Sequence, residues 1–119
     1  MAATPLPGAE IVRHLNSVGS LVSIRDDGTV WAITAFNRKW RLAARKKEGV
    51  PLEEWKDRKL AAHVALPAWA RKTKSLPSIK TLEEWAGDSV CESVTGETVE
   101  HDGHSADGAP SWLLALGLI

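Results

Sequence analysis

"LVSIRDDGTVWAI", residues 21–33, decides the fold class. Two runs rich in Val, Ile and Trp flank Asp26-Asp27-Gly28, whose last two residues suit a tight reversal that needs positive φ. The stretch predicts a β-hairpin. Upstream, "AEIVRHLNSVG" places Ile11, Leu15 and Val18 at spacings of four and three with Gly19 as a stop, which predicts a short helix after a flexible leader over residues 1–8.

Downstream, "AFNRKWRLAARKKEG" favours a second helix from about Ala35, with Phe36, Trp40 and Ala43 or Ala44 inward, cations outward and Gly49 at its end. A third helix follows: Pro51 suits its first position, Glu53 and Glu54 favour the positive end of the macrodipole, and Glu54 precedes Arg58 by one turn. Pro67 ends it, and "ARKTKSLPSIK" is a basic connector. In "TLEEWAGDSV", Thr81 and Glu84 form a capping box ahead of Leu82, Trp85, Ala86, Ser89 and Val90 on one face of a fourth helix. "LEEW" occurs at 52–55 and again at 82–85, but the residues that follow do not match, so no repeat is implied.

The expected fold is therefore a small α+β domain over residues 1–119: helix, β-hairpin, two or three basic helices, then an acidic C-terminal helix and tail over 81–119. With 119 residues, 44% of them apolar, the chain suits one domain and one core. Cys91 is the single cysteine, so no intrachain disulfide is possible, and a reducing cytoplasm is expected. The N-terminus lacks the basic start and apolar run of a signal peptide, and no stretch has the roughly 20 apolar residues of a membrane span. No membrane partner is expected. The closing "WLLALGLI" is expected to dock into the core.

Zero net charge conceals a strong asymmetry. Residues 38–80 carry thirteen Lys or Arg against Glu48, Glu53, Glu54 and Asp57, a net charge of +9, whereas residues 81–119 carry eight acids and no Lys or Arg. Either the tail folds back on the basic centre or the two present different surfaces.

Cys91, His101 and His104 are each able to bind zinc, but the paired spacing of a structural site is missing, so turn histidines and a small buried cysteine are expected instead. From "TLEEWAGDSVCES" through "TVEHDGHSADGAPSWLLALGLI" the tail resembles the C-terminal part of small uncharacterised proteins of bacteria, phages and mobile elements, which end in a Cys/His knuckle followed by PSWLLxLGLI. "DSVCE", "VE", "DG" and "PSWLLALGLI" carry the resemblance, over about thirty residues. It implies a zinc knuckle at positions that here hold Cys91, Glu97, Ser105 and Asp107. The soft ligands are gone, so neither metal nor another cofactor is expected.

Three functions compete. A metal-dependent nuclease of the HNH kind would use His101 as base and His104 or Asp107 on the ion, but the expected Asn and second His are missing, and the chain ends before a following helix has room to form. A scaffold would self-associate through "WLLALGLI". The basic centre supports binding: Arg38, Lys39, Arg41, Arg45, Lys46 and Lys47 crowd one helix, Arg58, Lys59, Arg71, Lys72 and Lys74 follow, and Trp40, Trp55 and Trp69 lie between them. Cations contact phosphates and aromatics stack on unpaired bases. The expectation is a non-catalytic accessory protein that binds nucleic acid or a nucleic-acid-handling complex, and the resemblance implies that it belongs to a phage or mobile element and acts in the cytoplasm of a bacterial host cell. Inhibition of host defence, as by an anti-CRISPR protein, is one form of it. The sequence leaves a protein partner and the oligomeric state open.

Overall fold

The hairpin forms where its turn residues place it, with β2 (Leu21–Arg25) antiparallel to β3 (Thr29–Ile33) and Ile24 opposite Val30. Gly28 supplies the positive φ, 90°, and Asp27 Oδ1 accepts the Thr29 amide at 3.1 Å. The computed structural model describes residues 6–119. Residues 1–5 of the expected leader lie outside these; the carbonyls of Pro7 and Gly8 are held by the Arg25 guanidinium.

Two of the expected helices are strands. β1 (Glu10–Leu15) pairs with β2, Arg13 opposite Ser23 and Leu15 opposite Leu21. The Ile11, Leu15, Val18 spacing misleads because the chain reverses before Val18: Asn16 Oδ1 accepts from the Val18 and Ser20 amides, and Gly19 turns at φ 82°. The helix expected over "AFNRKWRLAARKKEG" is likewise replaced by a loop and by β4 (Arg41–Arg45), which pairs with β3. Its Ala, Lys and Arg favour helix, yet pairing along β3 overrides that weak preference. Phe36, expected inward, is 56% exposed, Ala43 and Ala44 are exposed, and Trp40 is half-buried.

The sheet is a meander in the order β1-β2-β3-β4. Strand alternation sends Val12, Ile24, Val30 and Ala44 to one face and Arg13, Ser23, Trp31 and Leu42 to the other. The first face is covered by α1 (Leu52–Val64), whose buried Trp55 packs on Ile24 and Val30 with Val12, Val22 and Val50 around them. Pro51 caps this helix, and Glu54 holds Arg58 at 2.6 Å.

The basic connector opens with a helical turn, α2 (Ala68–Lys72), which lies against β1. α3 (Ile79–Gly87) starts ahead of the expected capping box: Ser78 is the cap, accepting the Thr81 amide at 3.1 Å. Ser89 and Val90 lie beyond it, and Val90 opens a ribbon of β5 (Val90–Glu92) and β6 (Thr98–Glu100). The acidic tail is thus helix, ribbon and loop rather than one helix. "PSWLLALGLI" does form a helical turn, α4 (Trp112–Ala115), capped by Ser111.

Docking of this end into a core is what the structure shows for Trp112 and Leu113, which join Leu15, Ala35, Leu82, Cys91, Val94 and Ala109 in a second cluster, while Leu118 and Ile119 stay exposed. Burial of each large apolar side chain contributes about 1.5–3 kcal/mol. Leu15 and Ala35 tie the sheet to this cluster. A Cβ on Gly19 would lie 2.7 Å from Leu116 Cδ2 and 2.9 Å from the Ala115 carbonyl oxygen, so the β1–β2 turn seats against α4 through a glycine.

Candidate nucleic-acid interface

The cations expected along one helix are dispersed around β4. Arg38 and Lys39 lie in the loop before it, Arg41 and Arg45 on it, and Lys46 and Lys47 just after it. Register divides them: Arg45 stands opposite Thr29, on the Trp31 face, and Arg41 opposite Ala32, on the α1 face. Arg38, Lys39, Arg41, Arg45 and Lys47 are exposed, and none of them enters an ion pair among the described residues. Lys46 is committed, its Nζ donating to the Val50 carbonyl at 2.8 Å.

Arg58 pairs with Glu54, Lys59 lies 6.0 Å from the Trp55 ring centre, Arg71 donates to the Leu66 carbonyl, and Lys74 donates to the Arg13 carbonyl. Lys72 is exposed at the end of α2. Trp55 is buried under the sheet and Trp69 packs against the second cluster, so neither serves as a free stacking surface.

The sheet face opposite α1 brings together residues that counting cations along the chain overlooks. Arg13, Arg25 and Trp31 all project there, half-buried, in register with Ser23 and Leu42. Period-two alternation through the hairpin is the pattern that groups Arg25 with Trp31. Arg13 stacks its guanidinium 5.1 Å from the Trp40 ring centre while donating to Glu10 at 2.6 Å and to the Lys74 carbonyl at 3.2 Å. Burial pushes the Glu10 carboxyl up, but hydrogen bonds from Arg13 and Ser23 and the charges of Arg13 and Arg25 outweigh it and hold the group below its ordinary range.

At one end of this face is a hollow of about 170 Å³. Leu21, Ile33 and Leu76 supply its apolar surface, Trp40 its aromatic surface, and Arg13, Arg38 and Lys74 its cations. Arg38 is positioned from outside the sheet, its Nη1 donating to the Pro77 carbonyl at 3.2 Å. Two residues far apart in the basic centre, Arg38 and Lys74, are thereby brought to one site.

Behind the sheet, His14 on β1 and His63 on α1 meet with their Nδ1 atoms 3.0 Å apart. Burial, then the charges of His63 and Lys74, hold His14 below its ordinary range; burial, then Lys74 and Arg71, do the same to His63.

Of the positions implied by the zinc-knuckle resemblance, Glu97, Ser105 and Asp107 lie together in one hydrogen-bonded loop, joined by Ser105 Oγ to Asp107 and by the Ala106 amide to Glu97. Cys91 is buried in the second core cluster. The Asp107 carboxylate accepts from Ser105 Oγ, from Thr95 Oγ1 at 2.9 Å and from the Ala109 amide at 3.1 Å, and hydrogen bonds from Ser105 and Ala109 hold it below its ordinary range. Glu97 accepts the Ala106 amide at 3.2 Å. His101 is half-buried and donates to the Trp85 carbonyl, while His104 is exposed. Among the described residues no group of three or more His, Cys, Asp or Glu side chains is placed to hold a metal ion, so His101, His104 and Asp107 do not form the cluster a nuclease would need. No described helix is long and apolar enough to cross a membrane. Comparison with known proteins found no matching family model, no similar curated protein and no similar solved structure.

Proposed function

We propose that this is a non-catalytic accessory protein of a phage or mobile element that acts by binding nucleic acid. One observation carries the proposal: Arg38, Lys39, Arg41, Arg45 and Lys47 surround an exposed strand without an acid paired to any of them among the described residues. Cations left unpaired beside a sheet face that bears Trp31 and Trp40 suit phosphates and bases together. The phage setting rests on the resemblance of the C-terminal residues, and so does the narrower role of inhibiting a nucleic-acid-handling defence complex.

The test is binding to short DNA and RNA across a salt series, with R41E/R45E/K47E beside the parent chain. We expect salt-sensitive binding that the triple charge reversal weakens at least tenfold, with circular dichroism showing both chains folded. No binding at low salt, or a triple variant that binds as well as the parent, would remove the proposal and direct attention to a protein partner.

A further inference from the structure

The geometry points to the hollow at one end of the sheet face opposite α1 as a pocket for one unpaired base of a single-stranded nucleic acid, with Trp40 stacking on it and Arg38 and Lys74 taking its phosphates. The inference rests on the nucleic-acid reading above and narrows it to one strand form and one site.

The hollow is small, about 170 Å³, apolar in Leu21, Ile33 and Leu76, aromatic along Trp40, and cationic in Arg13, Arg38 and Lys74. That combination fits a flat heteroaromatic group joined to a phosphate. A base held within a duplex is stacked on both sides and cannot enter the hollow, whereas an unpaired base can. Trp40 is already immobilised: Arg13 lies 5.1 Å from its ring centre and is itself anchored to Glu10 and the Lys74 carbonyl. Less ordering entropy is therefore lost when a base stacks there. Lys74 and Arg38 each donate to a backbone carbonyl, of Arg13 and Pro77, which fixes the two cations beside the recess.

Ser75, exposed at the rim of the hollow, is able to meet a ribose 2′-hydroxyl, so DNA and RNA strands share the chemistry this site recognises.

The experiment measures equilibrium binding of the full chain to dT10, to dT10 carrying abasic sites, to a duplex of equal length and to rU10, and repeats dT10 with W40A, W40F and R38E. We expect dT10 and rU10 each to bind at least tenfold more tightly than the duplex. W40A and the abasic strand should each weaken binding by about 5- to 150-fold, the weight of one base stacked on an aromatic side chain, while W40F retains most of it. The abasic strand requires no change in the protein, so it tests the pocket even if W40A does not fold. Salt-sensitive binding in which duplex equals dT10, or the abasic strand equals the intact one, overturns this inference and leaves the broader function standing. Absence of binding to every strand overturns both.

Discussion

His14 and His63 share one hydrogen bond between their Nδ1 atoms, so at least one ring must be neutral for the contact to exist. Both groups lie below their ordinary value of 6.5 in the folded chain, and the unfolded chain therefore takes up more protons as pH falls. Their contribution is present above about pH 6.5 and is lost as pH falls through their lowered folded values. A second loss belongs to Glu10 and Asp107, whose lowered carboxyls weaken folding only below their ordinary values of 4.5 and 3.8. Thermal melts should show two separate declines, and H63N should flatten the upper one while costing about 1 kcal/mol at pH 8 through the lost contact. A single decline confined to pH below 4.5 would refute the histidine account. Little of this was legible beforehand, because His14 and His63 are remote in sequence and meet only through the docking of α1 on β1. Arg38 and Lys74 were legible as cations but not as neighbours, and Arg13 and Trp31 were missed because cross-strand register creates their shared face.

The elements written most plainly in the sequence are those fixed by local chemistry. Asp27-Gly28 selects the hairpin turn, and Pro51 with Glu53 and Glu54 starts α1. β1 and β4 were obscured for different reasons: in β1 a helical spacing ran across an Asn16-Gly19 turn, and in β4 helix-favouring Ala and Arg were recruited by β3. The ribbon over 90–100 has only three residues in each strand, too few for alternation to stand out. The two turn glycines give a test of how these elements are joined. Both have positive φ, so alanine at either costs about 1–2 kcal/mol from the backbone alone. At Gly28 the added Cβ comes no nearer than 3.2 Å to any neighbour, Lys46 Cβ, but at Gly19 it meets the Ala115 carbonyl at 2.9 Å. Denaturant titration should find G19A the more destabilised by at least about 1 kcal/mol. Equal losses would mean that the β1–β2 turn does not bear on α4.

Across the whole molecule, the acidic tail does not neutralise the basic centre through contact. The ion pairs of the described residues, Arg13–Glu10, Lys56–Glu53 and Arg58–Glu54, are all local, and none reaches residues 81–119. The molecule is elongated, with a radius of gyration of 15.6 Å and extents of 51 × 35 × 19 Å. A compact chain of this length has a radius of about 13.5 Å. Binding to a single strand should thus weaken steeply with salt, and R38E and R45E should each reduce the slope of log K against log salt by about 0.7, the share of one phosphate contact. An unchanged slope would exclude those residues from the interface. β4 adds a consequence of another kind. It pairs with β3 on one side only, and all five of its residues are exposed, so its outer backbone groups are open to any strand that arrives. Arg41 and Arg45, at the two ends of that edge, repel a second copy of it, and glutamates at the same positions would do so as well. Alanines would not: R41A/R45A should sediment as larger species at concentrations where R41E/R45E stays dispersed, which makes the arginines guardians of solubility whatever they bind.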